Sequence, residues 1–114
     1  MKSKLLIVFL AITSLAVLCS PSMAILGQVI FVRGDVNQDK TVGTADLAAL
    51  ISYFQGSPIP CRDAADVNGD GHLDISDLVF LSAYLYQGGN QPPQPFPSCG
   101  WQDPVLGCAH EICP

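Results

Sequence analysis

Two twelve-residue segments of the chain share one pattern of oxygen-bearing side chains, and this repeat constrains the fold more than any other feature. The segments are DVNQDKTVGTAD, at residues 35–46, and DVNGDGHLDISD, at residues 66–77. In both segments Asp or Asn occupies positions 1, 3 and 5, and a further Asp occupies position 12. An apolar pattern with helical spacing follows each segment. An internal duplication is the simplest explanation, and it predicts two similar units that pack against each other.

The repeated pattern is typical of a calcium-binding loop. Calcium takes about six to eight oxygen ligands, and a tight loop supplies them by turning alternate side chains inward. The alternative is that these Asp and Asn residues have only a structural role as turn formers. Two copies of the segment with the same residue spacing argue against it. We therefore predict two calcium sites. Their ligands are Asp35, Asn37, Asp39, the Thr41 carbonyl and Asp46 in loop one, and Asp66, Asn68, Asp70, the His72 carbonyl, Asp74 and Asp77 in loop two.

The two loops are not expected to bind calcium equally. Loop one has three carboxylates where loop two has four, because Gly43 stands at position 9 without a side chain. At position 6 the backbone is expected to take a positive φ, which Gly71 of loop two adopts at no steric cost. Lys40 occupies this position in loop one, at a cost of about 1 kcal/mol, and it adds a positive charge. We predict that loop two binds calcium more tightly.

Each loop leads into a predicted amphipathic helix, which ends at Gly56 in the first copy and at Gly88 in the second. The segments before the loops have no helical pattern, so the entering helix of an EF-hand is not expected. The predicted fold class is a small all-α domain, in which repeats 35–56 and 66–87 pack as a pseudo-twofold pair. The side chains expected on the inner helix faces are Leu47, Leu50, Ile51, Phe54, Leu78, Leu81 and Leu85.

The segments that flank the repeats are interpreted from their composition. Residues 1–24 have the basic start, the short apolar run and the small residues before Ile25 that are typical of a secretory signal peptide. A lipoprotein signal centred on Cys19 is a weaker alternative. Residues 25–33 suggest a short extended lead-in, and residues 90–114 a Pro- and Cys-rich irregular tail. The protein is therefore predicted to be secreted, extracellular or at the cell surface, with no membrane insertion after signal cleavage.

Four of the five cysteines follow the predicted signal peptide, and an even number in an exported protein favours disulfides. Sequence alone permits three pairings. We prefer Cys61 with Cys99, which would tie the linker between the repeats to the tail, and Cys108 with Cys113, which would close a small terminal loop. A zinc site formed by Cys99, Cys108, His110 and Cys113 is an alternative, which the irregular spacing and the oxidising location disfavour.

The balance of charge excludes several functions. After the predicted signal peptide, three basic residues stand against ten acidic ones, which argues against binding to nucleic acid or anionic lipid. Most of the acidic residues lie in the two loops, so the charge indicates cation binding. Paired carboxylates can hydrolyse glycosides, but only Asp63, Asp103 and Glu111 lie outside the loops, and nothing predicts a substrate cleft. No Ser-His-Asp arrangement is indicated. We predict that the chain is not an enzyme.

These features together resemble the type I dockerin family. The resemblance covers residues 34–89 and lies in GDVNQDKTVGTADLAALISYF and ADVNGDGHLDISDLVFLSAYL, each a loop with an exiting helix. It implies a non-catalytic module that binds a cohesin domain and attaches glycoside hydrolases to scaffolds or cell surfaces. It also implies partner contacts just before position 12 and further along the helices, which here are Thr44, Ala45, Ser52, Tyr53, Ile75, Ser76, Ala83 and Tyr84.

Two functional hypotheses follow. The first is a secreted calcium-binding module, monomeric when unbound, that binds a cohesin-type protein in extracellular assemblies associated with polysaccharide degradation. The alternative is a free-standing extracellular calcium-binding structural protein without a cohesin partner. Val79, Phe80 and Tyr84 lie off the predicted inner face, where they either bind the partner or are covered by the tail or the N-terminal segment.

Overall fold

The computed structural model describes residues 29–109 and residue 113. Within them the chain forms, in order, β1 (Val29–Phe31), α1 (Thr44–Phe54), α2 (Arg62–Ala65), α3 (Ile75–Tyr86) and β2 (Gly100–Gln102). The predicted signal peptide, residues 1–24, lies outside the described residues. None of the helices in the described ranges has the length and apolar character needed to cross a bilayer.

The two long helices, α1 and α3, pack against each other and carry the main core. Leu50 and Leu81, at equivalent positions of the two repeats, are fully buried. Val36 and Val67, which follow the first Asp of each loop, are buried beside them. Burying one such side chain stabilises the fold by about 1.5–3 kcal/mol. The partly buried side chains around this core include Val42, Leu47, Leu73, Leu78 and Leu85.

The prediction of which side chains form the inner face of α1 is confirmed for two of the four residues. Leu50 is fully buried and Leu47 packs against the core, but Ile51 and Phe54 are 43% and 40% exposed. Helix α1 has one long helix beside it, so a narrow stripe of its surface is covered and the flank of the apolar face stays open. Ile51 and Phe54 therefore belong to the surface of the domain.

The linker between the repeats contains α2, a single helical turn, so the prediction of a non-helical approach to loop two is wrong. Cys61 caps this turn, since its Sγ accepts a hydrogen bond from the Ala64 N–H (3.3 Å). Ala64 and Ala65 are both buried. One turn is too short to show an apolar period in the sequence, and its stability comes from packing rather than from propensity.

The sheet is the second departure from the sequence-based expectation. β1 and β2 pair in antiparallel fashion with Ile30 opposite Trp101, so the described residues combine three helices with a small two-stranded sheet, and an all-α fold is not confirmed. β1 lies within the predicted extended lead-in, residues 25–33. β2 lies in the tail, where three residues give no strand pattern that could have been read locally.

All four predicted cysteines form disulfides, but the predicted pairing is wrong. The bonds join Cys61 to Cys108 and Cys99 to Cys113. The first ties the linker to the tail, as expected of Cys61, but through a different cysteine. Because all four sulfurs are bonded in pairs, the structure does not support the alternative zinc site. His110 of that alternative lies outside the described residues.

The path of the tail explains the observed pairing. Backbone hydrogen bonds flank the first disulfide, from the Arg62 N–H to the Gly107 carbonyl (2.9 Å) and from the Ala109 N–H to the Pro60 carbonyl (2.7 Å). These contacts bring the end of the tail, rather than its middle, alongside the linker. Pairings of this kind depend on long-range contacts that cysteine spacing does not encode.

Candidate metal centres

The carboxylates at positions 1, 5 and 12 converge in both loops. In each loop the three side chains offer oxygens that all lie within 4.8 Å of one another. Positions 1 and 12 are buried and position 5 is exposed. A cation that needs several oxygen ligands finds them already gathered here. The two clusters are Asp35, Asp39 and Asp46 in loop one and Asp66, Asp70 and Asp77 in loop two.

The carboxylate at position 1 organises the turn of each loop. Asp35 accepts hydrogen bonds from the backbone N–H groups of Asp39 (3.1 Å) and Lys40 (2.9 Å). Asp66 accepts the equivalent bonds from residues 70 and 71, at 3.2 and 2.8 Å. The loop backbone therefore wraps around the carboxylate, and one charged side chain fixes positions 5 and 6.

The carboxylate at position 12 joins the start of each loop to the helix that follows. Asp46 accepts hydrogen bonds from the N–H groups of Val36 (2.7 Å) and Gly43 (2.8 Å). Asp77 accepts them from Asn68 (3.2 Å) and from residue 74 (3.0 Å). Both aspartates lie in the first turn of a helix, where a carboxylate satisfies free N–H groups and interacts favourably with the helix dipole.

The remaining predicted ligands have distinct placements. Asn37 and Asn68 each donate a side-chain hydrogen bond to the position-5 carboxylate, at 3.2 and 3.4 Å. The position-7 residues, Thr41 and His72, donate their backbone N–H to that same carboxylate, at 3.0 and 2.9 Å. Asp74 lies outside the three-carboxylate cluster of loop two. Its side chain caps α3 by accepting a hydrogen bond from residue 76 (2.8 Å).

The clustered charges are costly without a cation. Burial raises the pKa of Asp35 to about 6, and the nearby Asp46 carboxylate adds to that shift. Burial likewise raises the pKa of Asp77 to about 6, and the nearby Asp66 and Asp70 carboxylates raise it further. Both effects disfavour the charged carboxylate. The exposed Asp39 differs, since the Thr41 N–H holds its pKa below the usual value.

The backbone of the two loops differs in strain. Lys40 has a φ of 69°, in the left-handed region predicted from its position, and Gly71 matches it with 82°. Position 4 is left-handed as well, with a φ of 65° at Gln38 and 73° at Gly69. Loop one therefore has residues with a Cβ at two positions where loop two has glycine. Each costs about 1 kcal/mol or more in backbone strain. The left-handed backbone at position 4 was not predicted from the sequence, although the glycine at this position of loop two, Gly69, indicates it.

Arg33 is a buried residue beside the second loop that sequence reasoning missed. It precedes loop one, yet its guanidinium reaches the start of loop two, where Nη1 donates to the carbonyls of Asp66 (2.6 Å) and Asp63 (3.2 Å). The same nitrogen lies 3.9 Å from the Asp66 carboxylate. Arg33 is only 3% exposed, and burial lowers its pKa while Asp66 opposes that shift. The only signal in the sequence is that so few basic residues are present.

The residues predicted to contact a partner are not equally accessible. Val79 is 62% exposed, whereas Phe80 packs against the core. The Tyr84 ring meets the ring of Phe96 edge to face, with centroids 5.6 Å apart. The tail therefore covers part of the predicted apolar patch and leaves the rest open. Thr44, Ala45, Ile75 and Ser76 are exposed, and Ser52, Tyr53, Ala83 and Tyr84 are half-buried.

A shallow groove of about 320 Å³ lies between α1 and α3, and the sequence did not indicate it. Its walls are largely apolar. The side chains that line it are Leu47, Ile51, Leu78, Val79, Ser82 and Gln87.

Comparison with known proteins gives one family assignment. Residues 33–86 match the family model described as the dockerin type I domain. The matched range begins at Arg33, contains both loops and ends with α3. No curated protein and no solved structure matches the chain.

Proposed function

Residues 33–86 belong to the type I dockerin family, and from this premise we propose that the protein is a calcium-dependent docking module that is secreted and binds a cohesin-type partner. Dockerin domains are non-catalytic modules that bind cohesins. The observation that carries the proposal is the pair of carboxylate clusters at equivalent positions of the two repeats. The assemblies it would join are extracellular and associated with polysaccharide degradation.

Calcium is the proposed cofactor of both loops. A hard divalent cation would neutralise carboxylates that otherwise repel each other, and the donor set consists of oxygens alone. Since position 12 lies in the first turn of each long helix, an occupied loop would fix the start of that helix. The two repeats would then present α1 and α3 as a pseudo-twofold pair. The equivalent residues Leu50 and Leu81, which share one core, support this arrangement.

The proposed partner surface is the exposed side of α1 and α3 around the groove. Ile75 and Val79, one helical turn apart on α3, are 60% and 62% exposed. Large apolar side chains in such positions are typical of interaction surfaces. The proposed contact residues are Thr44, Ala45, Ser52, Tyr53, Ile75, Ser76, Ala83 and Tyr84, together with Ile51 and Val79 of the groove.

A free-standing extracellular calcium-binding structural protein is the second candidate. The contact between Tyr84 and Phe96 favours it, because the tail there covers a side chain that a partner would need. The Cys61–Cys108 bond also closes the tail onto the domain. A structural protein of this kind would bind calcium equally well and bind no cohesin.

Val79→Asp is predicted to weaken partner binding by more than tenfold and to leave calcium binding unchanged. A charge in the centre of an apolar contact must be buried unpaired, which costs about 2 kcal/mol or more. The measurement is a pull-down against a panel of immobilised cohesin domains, in calcium and in EGTA, followed by affinity measurement for any domain retained.

Trp101→Thr is the control, because Trp101 is as exposed as Val79 but lies on β2 and not on either of the two long helices. It should bind the partner as the wild type does. Equal binding by Val79→Asp would place the partner surface elsewhere. Calcium binding without calcium-dependent capture by any cohesin would favour the structural protein over the docking module.

A further inference from the structure

The tail forms a strap over the linker that leads into loop two. The strap is defined here as residues 92–109. The Asp63 carboxylate, which is buried, accepts hydrogen bonds from three consecutive backbone N–H groups of the strap, at residues 105–107, with distances of 2.8–3.1 Å. The Cys61–Cys108 bond closes the strap onto the same turn, α2. Loop two begins directly after this turn, so the strap is anchored at its entrance.

The strap also lies against the two left-handed glycines of loop two. A Cβ at Gly69 would come within 2.7 Å of the Pro93 side chain, and a Cβ at Gly71 would lie 3.6 Å from the Val105 side chain. These glycines occupy positions 4 and 6, where the loop makes its sharp turn. The strap therefore packs on the part of the backbone that has to take its shape before a cation can be enclosed.

Arg33 fastens the strap to the first ligand of loop two. Its Nε donates to the Gln94 carbonyl (3.1 Å) and its Nη2 to the Gln102 side chain, both in the strap. Its Nη1 donates to the Asp66 carbonyl at 2.6 Å. The planar guanidinium can hold several acceptors at fixed angles, which an ammonium group cannot do. One buried side chain thus connects the strap, α2 and position 1 of the loop.

Loop one has no comparable support within the described residues. The side-chain hydrogen bonds made by Asp35, Asp39 and Asp46 all go to groups inside loop one itself. The strap meets loop one through apolar contacts: Val42 packs against the cluster that contains Phe96, and Pro92 lies 3.8 Å from the position of a Cβ at Gly34, just before the loop begins. Any effect of the strap on cation binding should therefore fall mainly on loop two.

We propose that the strap, closed by Cys61–Cys108 and held by Arg33, sets the calcium affinity of loop two by holding the loop in its binding conformation before the ion arrives. The proposal rests on the calcium binding proposed above. A loop that is already ordered loses less conformational entropy when it binds, so its affinity is higher. Arg33 is a positioning residue in this account, since it acts on Asp66 and not on the ion.

The test is a calcium chloride titration of the Cys61→Ser/Cys108→Ser variant, followed by NMR at two backbone amides. The Lys40 and Gly71 amides each donate to the position-1 carboxylate of their own loop, so each reports on one site. The expected result is a Kd at least about tenfold higher at Gly71 and nearly unchanged at Lys40. Cys99→Ser/Cys113→Ser is the control, because that bond lies within the tail, and it should leave both affinities near wild type.

An unchanged calcium affinity of loop two, reported by the Gly71 amide, would overturn the proposal. Equal losses of calcium affinity at both loops would also overturn it, since they indicate a general loss of stability. If the double serine variant does not fold, Arg33→Lys replaces it. Lysine keeps the positive charge beside Asp66 but lacks the planar guanidinium that donates to several acceptors at once. That variant is expected to weaken binding at Gly71 selectively, and an unchanged affinity there would overturn the proposal. If neither amide of the wild-type protein responds to calcium, neither loop binds it, and the proposed function is refuted instead.

Discussion

Asp77→Asn is expected to lower the calcium affinity of loop two by more than about a hundredfold, since loss of even an outer partner of a metal ligand costs about 10- to 100-fold. The substitution removes one carboxylate from a cluster of three. Asparagine has nearly the same size, but its single amide oxygen can accept from the N–H of Asn68 or of Asp74 and not from both, because Asp77 uses a different oxygen for each. Isothermal titration calorimetry measures the loss of affinity directly.

The same variant is expected to behave differently without calcium. Burial raises the pKa of Asp77 to about 6. A pKa above that of the unfolded chain means that the charged form destabilises the calcium-free fold at neutral pH. The neutral amide removes this cost but also loses one of the two backbone hydrogen bonds, so the drop in melting temperature caused by Asp77→Asn should be much smaller in EGTA than in calcium. Thermal unfolding followed by circular dichroism measures both conditions.

Two controls locate this effect. Asp46→Asn makes the equivalent change in loop one, and its loss of stability in calcium should be smaller, since loop one is predicted to be the weaker site. Asp103→Asn removes an exposed charge outside both loops and should change neither calcium affinity nor melting temperature. A larger effect of Asp46→Asn would reverse the predicted order of the sites.

Gly43→Asp is expected to raise the calcium affinity of loop one about tenfold or more, because it supplies the oxygen missing at position 9. The site can accept the side chain. Gly43 has an extended backbone with a φ of −160°, and no atom lies within 4 Å of the position of a Cβ. Asp74 shows the conformation expected of the new residue, since it caps α3 from the same position of loop two. Titration calorimetry on the variant measures the gain.

Gly43→Asn separates capping from calcium binding. Asparagine and aspartate are similarly good N-caps, and each should stabilise α1 by a few tenths of a kcal/mol over glycine. Only aspartate adds a carboxylate to the loop. Both variants should therefore melt slightly higher than wild type in EGTA, while Gly43→Asp binds calcium more tightly at loop one than Gly43→Asn does. Calcium affinities equal to that of the wild type for both variants would show that position 9 takes no part in the site.

The parts of the fold that local spacing encodes were predictable. The two loops and the helices that follow them were correctly located because ligand spacing and apolar period are properties of neighbouring residues. The carboxylates at positions 1, 5 and 12 of each loop lie close together, and their role as calcium ligands stays a prediction. Ile51 and Phe54 mark the limit of this reasoning, since the helical period identifies an apolar face but not how much of it a neighbouring helix covers.

The parts that depend on the path of the tail were not predictable. β2, the Cys61–Cys108 pairing and the role of Arg33 all require residues far apart in the sequence to meet. A buried arginine that serves a loop 33 residues away leaves no periodic or spacing signal. The left-handed backbone at Gln38 is a different case, because comparison with Gly69 at the same loop position would have revealed it.

The most direct test of the account is thermal unfolding of the protein without residues 1–24, in excess calcium and after exhaustive dialysis against EGTA. Binding to the folded state alone should stabilise it by about 3–4 kcal/mol at about 100 to 1,000 times Kd. The melting temperature should then fall by roughly 10–30 °C on calcium removal, with bound calcium detected by native mass spectrometry beforehand. An unchanged melting temperature and far-ultraviolet spectrum, together with no bound metal, would contradict the central claim that these two acidic loops are calcium sites.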